Sequence, residues 1–287
     1  MTTSRTVLTI AALTLREASR RRVLLALALL TLVLLGLSGW GFSRLAAEAG
    51  GTLTSGEARL TSSIVLNLVM FGYSLIAALG TAFLAGPTLS GETESGIALA
   101  VLARPIRRSA FLLGKWLGLV VFGGGFVVLA GLAQCLVVWA TVGYWPPALA
   151  SALALLAAQT TVLLTLALLL STAISPMASG VVAVGLFCTT WVAGVVGGVG
   201  QSLGNEAVGR VGSVSRMLLP TDGLWRGAMN GLQDPSAILQ FGGGSEEAGA
   251  FPFLSTAPLT PAYLVWAAVW VAMVWGLAAA SFLRKDL

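Results

Sequence analysis

The sequence predicts an all-α polytopic membrane protein with six transmembrane helices, an N-terminal amphipathic interfacial helix and a short helix in a cytoplasmic loop. Three observations predict it. Hydrophobic residues make up 57% of the chain and charged residues only 9%, against about 25% charged in an ordinary soluble domain. Six apolar runs each approach the roughly 20 residues needed to cross about 30 Å of hydrocarbon. The basic residues gather on one side of those runs.

Residues 1–22 open the chain as a helix with Arg5, Thr9, Arg16 and Arg20 on one stripe at about 100° per residue. Val7, Ile10, Ala11, Leu15 and Ala18 fall opposite. Such a helix lies in the interface, apolar face down, with arginine held to anionic headgroups. The first span is Val23–Phe42. It exceeds the roughly 7–15 residues of a signal-peptide core, and Arg44 separates it from the small residues beyond, so it is expected to be retained. The other spans are Ile64–Ala85, Leu117–Trp139, Ala148–Leu170, Val181–Val199 and Ala262–Phe282.

Tyr144-Trp145-Pro146-Pro147 forms a tight turn between the third and fourth spans, with aromatic residues at headgroup depth. Ile174-Ser175-Pro176-Met177 breaks the chain between the fourth and fifth. Residues 201–261 form the last loop. They read either as a long solvated loop or, favoured, as two short helices, one before and one after Pro220, dipping partway into the membrane, where backbone must be covered by protein. The glycine-rich stretch Phe241–Ser245 follows. With both termini in the cytoplasm, the inner side holds Arg5, Arg16, Arg20, Arg21, Arg22, Arg104, Arg107, Arg108, Lys115, Arg284 and Lys285, and the outer side only Arg44, Arg59, Arg210, Arg216 and Arg226. That bias fixes the orientation.

Residues 88–115 carry clustered charge of both signs, and the whole chain is arranged around them. Glu92 and Glu94 suit the positive start of a helix, IALAVLA follows, and Arg104, Arg107 and Arg108 suit its end. Pro105 stops it. The predicted helix is Gly91–Ala103.

Glu92, Glu94, Gly96, Leu102, Pro105, Arg108, Gly114 and Lys115 together resemble the loop after the second span of ABC-2 type permeases, the membrane subunits of one class of ABC exporter, and within it the type V exporters. Ile97 stands where that family usually has Thr, and the basic tail ending in Asp286-Leu287 is similar to that of many members. The resemblance implies that this loop carries a coupling helix docking into a separate ATPase. It implies contacts from Glu92, Glu94, Gly96, Arg104, Pro105, Arg107 and Arg108, with Ser175, Pro176 and Met177 as a smaller second contact. It also implies a cytoplasmic ABC ATPase dimer and a second permease subunit, forming a homodimer, as partners. ATP and Mg would be bound by the ATPase, with no cofactor in this chain.

Other chemistries find little to work with. Histidine is absent, so an imidazole base is unavailable. Cys135 and Cys188 are isolated in apolar spans and read as packing residues. Gly114-Lys115 is followed by Trp116 and not preceded by a phosphate-binding loop, and Leu89-Ser90-Gly91 matches an ATPase signature by chance. The basic residues follow topology and not one face, which argues against nucleic acid. Within the spans the polar side chains are Asn67, Gln134, Gln159 and scattered Ser and Thr. They read as interhelical hydrogen bonds. With no charge expected near a midplane, an ion-coupled carrier or channel acting alone is the second reading, behind an ATP-driven exporter subunit.

Overall fold

The computed structural model describes residues 3–20, 22–48, 56–86, 107–236, 238, 251–255 and 257–284. Nine helices run through them: α1 Thr3–Arg20, α2 Arg22–Glu48, α3 Gly56–Gly86, α4 Arg108–Val142, α5 Leu149–Ser171, α6 Pro176–Ser202, α7 Glu206–Leu218, α8 Thr221–Leu232 and α9 Pro261–Arg284. Six of these, α2 to α6 and α9, are long and apolar enough to cross a membrane. The end of the bundle at which α3 stops and α4 starts is called lower, and the opposite end upper.

Helices α3 and α5 form the centre, with 61% and 56% of their most apolar windows buried, whereas α2 buries 11% and lies at the edge. In lipid this is no defect, because exposed leucine costs nothing among acyl chains and helices associate by close packing and hydrogen bonds. Side chains of α2 therefore enter notches in α3. A Cβ on Gly72 would lie 2.9 Å from Leu34 Cδ2, and one on Gly80 2.6 Å from Leu27 Cδ1. A Cβ on Gly123 of α4 would lie 2.7 Å from the Thr81 methyl and 2.9 Å from the Thr160 methyl, so three helices meet there.

The amides of the spans make the expected bonds with one variation. Gln134 donates to Ser38 Oγ and accepts from Tyr73, tying α4 to α2 and α3. Ser74 donates to Gln159 Oε1 at 2.8 Å, joining the two central helices. Asn67 instead reaches Phe253 O at 2.9 Å, a carbonyl of the segment that leads into α9. Threonines in the spans, among them Thr81, Thr160 and Thr165, satisfy their hydroxyls on carbonyls of the preceding turn.

Helix α1 differs from the expectation of an apolar face turned only to lipid. Its buried stripe is Val7, Ile10, Thr14 and Ala18, and it lies against α4 at two glycines. A Cβ on Gly114 would be 2.7 Å from Ile10 Cβ, and one on Gly118 2.7 Å from Ala11 O. Leu8 and Leu15, beside that stripe, are exposed. Gly114 and Gly118, which read from spacing alone as generic small-residue packing, thus form a seat for α1. Helix α4 also starts at Arg108, seven residues before the expected end of the loop, because its first turns serve as that seat.

Candidate functional site

At the lower end, the charged loop leaves from Gly86 and returns at Arg107. Glu92, Glu94, Gly96, Arg104 and Pro105 lie outside the described residues. Arg107 is exposed and takes an extended conformation (φ −65°, ψ 129°) before the first turn of α4. Arg108 turns Nη1 to Leu283 O at 3.5 Å, where a cation complements the negative end of α9.

Ser175 is extended (φ −61°, ψ 155°), and Pro176 occupies the first turn of α6, where a missing amide proton costs nothing. Ser179 Oγ donates back to Pro176 O at 2.8 Å. A Cβ on Gly86 would lie 2.7 Å from Ser179 Oγ, so the point where the charged loop departs touches the short turn between α5 and α6. Ile174 and Met177 leave an exposed apolar edge beside it, Met177 at 69%. Lys115, one of the loop positions, is buried in α4 and reaches Glu17 Oε2 of α1 at 3.5 Å.

The upper end holds a second constellation. Helices α7 and α8 form a hairpin that goes down into the bundle and returns. Asn205 caps α7, its side chain accepting from Val208 N at 3.2 Å, and Gly204 makes the turn before it with φ +67°. Then α7 descends against α6 backbone to backbone: a Cβ on Gly197 would lie 2.5 Å from Gly212 Cα. At its tip three carbonyls that a helix end leaves open receive donors from α9. Tyr263 Oη bonds to Arg216 O at 2.9 Å, Trp266 Nε1 to Met217 O at 3.2 Å and Trp270 Nε1 to Leu218 O at 2.8 Å. Leu219 N takes the fourth, Ser215 O, at 3.0 Å.

The hairpin places a carboxylate at depth. Asp222, in the first turn of α8, is 1% exposed and accepts from Arg216 Nε at 2.9 Å and Arg226 Nε at 3.1 Å. Arg226 Nη2 also donates to Gly194 O of α6 at 2.8 Å. Gly194 lies eight residues below Ser202, the last residue of α6, which is about 12 Å at 1.5 Å per residue. This corrects the expectation of a bundle without charge at depth. Residues counted as part of a loop are carried inward by the hairpin, and their charges are tolerated there because they pair. The Asp222–Arg226 spacing of four is a legible helical ion-pair signal. The Gly194 notch and Arg216 across the tip of the hairpin are not.

Helix α8 then rises to the upper end, where Tyr144 of the α4–α5 turn donates to Leu232 O at 2.8 Å and accepts from Ser63 Oγ at 3.1 Å. Burial pushes this phenol up to about 12. Gln233 fixes the return segment, donating to Phe253 O at 3.0 Å and accepting from Ser255 N at 3.2 Å. Among the described residues no group of three or more metal-ligating side chains occurs.

These features define a multi-pass helical membrane protein with a half-buried hairpin before its last span. A family model described as ABC-2 family transporter protein matches residues 8–287. The chain belongs to the ABC-2 transporter family, and with it to a group of membrane subunits that are not themselves enzymes. No match is found among curated proteins.

Proposed function

We propose that this chain is the transmembrane permease subunit of an ATP-binding cassette exporter, a homodimer driven by two cytoplasmic ATPase subunits. It lies in the cytoplasmic membrane with both termini inside, and the partner binds ATP and Mg. The observation that carries this reading is the contact of Gly86 with the Pro176–Ser179 turn. It brings the end of α3, from which the charged loop leaves, against the turn that carries Ser175 and Pro176.

Movement of the ATPases acts through Glu92, Glu94, Gly96, Arg104, Pro105, Arg107 and Arg108, with Ser175, Pro176 and Met177 beside them. A push on this loop falls directly on the ends of α3 and α4. Because α1 is seated on Gly114 and Gly118 and paired through Glu17 to Lys115, α1 and α4 move as one piece.

The rival reading, a carrier acting alone, gains one observation from the buried Asp222. That carboxylate is already engaged by two guanidiniums, so it is not open to a coupling proton or cation. The test is to reverse Glu92 and Glu94 together to Lys and co-purify the candidate ATPase. Loss of assembly and of substrate-stimulated hydrolysis is expected. Full assembly, or transport by the purified chain in liposomes without nucleotide, overturns the proposal.

A further inference from the structure

Between α7, α8 and the segment that leads into α9 lies a cavity of about 280 Å³ lined by Arg216, Arg226, Gly223, Ser255, Thr260 and Tyr263, among others. Its charge does not balance: two guanidiniums face one carboxylate. Their donors are not used up. Arg216 bonds through Nε alone, and Arg226 through Nε and Nη2, so both terminal nitrogens of Arg216 and Nη1 of Arg226 take no protein partner among the described residues. Arg216 and Arg226 keep 24% and 17% of their side chains accessible. Asp222 itself is sealed beneath them.

A guanidinium fork matches the oxygens of a phosphate better than any other anion-binding side chain, and a surplus cation that is mostly shielded from water favours a bound counter-charge. We infer that the cavity above Asp222 is a binding site for a phosphate oxyanion, held by the free edges of Arg216 and Arg226. The oxyanion comes either as a lipid headgroup or as free phosphate. The site is built by the hairpin and the segment that leads into α9, and it does not depend on the ATP-driven reading.

The experiment measures the melting temperature of the whole purified protein in neutral detergent. The probes are inorganic phosphate, dihexanoyl-phosphatidylglycerol and, as a control, sodium chloride at equal ionic strength. Wild type should show a saturable rise with phosphate or with the lipid and none with chloride. A response confined to the lipid assigns a headgroup, and one shared with phosphate assigns the free oxyanion as sufficient. R216Q, which leaves Asp222 and Arg226 as a neutral pair, should weaken the response at least tenfold, while R216K, which keeps the charge without the fork, should weaken it less. Should R216Q not fold, R216K and the wild-type chloride comparison carry the test. No saturable rise in wild type, or undiminished affinity in R216Q and R216K, overturns the inference.

Discussion

Gly194 of α6 lacks a side chain at the spot occupied by the carboxylate of Asp222: a Cβ there would lie 2.5 Å from Asp222 Cγ. The glycine makes room for the acid, its carbonyl takes Arg226 Nη2, and the tip of the hairpin is thereby fixed to the fifth spanning helix.

Gly194→Val should therefore expel the carboxylate and destabilise the protein by about 2–3 kcal/mol, in the range of overpacked cores. Gly185, in the same helix, meets nothing within 4 Å, and Gly185→Ala should be neutral or slightly stabilising because alanine is the better helix former. Denaturation of the two variants in detergent checks this, and equal effects would contradict the geometry.

Asp222→Asn leaves two guanidiniums without a counter-charge in a buried place. The cost should be about 3–5 kcal/mol, as for removal of one partner of a buried pair, and it should exceed that of Glu206→Gln. Glu206 also pairs with an arginine, Arg210, but both are exposed, and such pairs are worth about 0–1 kcal/mol. A ranking in the opposite order would show that the hairpin tip lies in water.

Trp270→Phe and Tyr263→Phe each remove one donor from the end of α7 while keeping most of the apolar contact. Each should cost about 1 kcal/mol, the typical net worth of one hydrogen bond. The pair should be closer to additive than Gly194→Val combined with Asp222→Asn, whose residues touch. Equilibrium unfolding of the single and double variants measures both points.

Gly118→Leu should lift α1 from α4, because Ala11 O and Thr14 already fill the space a side chain needs. Tryptic cleavage at the exposed Arg16 and Arg20 of α1 should become faster, and Glu17→Gln should give a smaller change in the same direction. Unchanged cleavage in Gly118→Leu would mean that α1 is held by lipid and not by α4.

Orientation is tested by thiols in a background with Cys135 and Cys188 replaced by alanine. Met177→Cys, at a position 69% exposed at the lower end, should react with an impermeant maleimide only after cells are opened, and Leu203→Cys, at a position 77% exposed at the upper end, in intact cells. The reverse pattern would place the charged loop outside and remove the basis for coupling to a cytoplasmic ATPase.

The sequence by itself determined the class, because hydrocarbon imposes a length and composition on any helix that crosses it, and those are local properties of a run of residues. Each of the six expected runs falls within one observed helix, apart from Ala148, which precedes the first residue of α5. Two further helices flank Pro220 as their apolar patches and turn residues suggest. The family was legible in the charged loop, although its acidic residues lie outside the described ones. Tertiary structure alone decided which glycines are seats and for what: Gly114 and Gly118 for α1, Gly197 for Gly212, Gly194 for a carboxylate. It also decided the depth of Asp222. Spacing along a chain shows which residues share a helix face, but not which neighbour fills the space opposite or how far a hairpin carries its charges inward, since both follow from packing between segments distant in sequence.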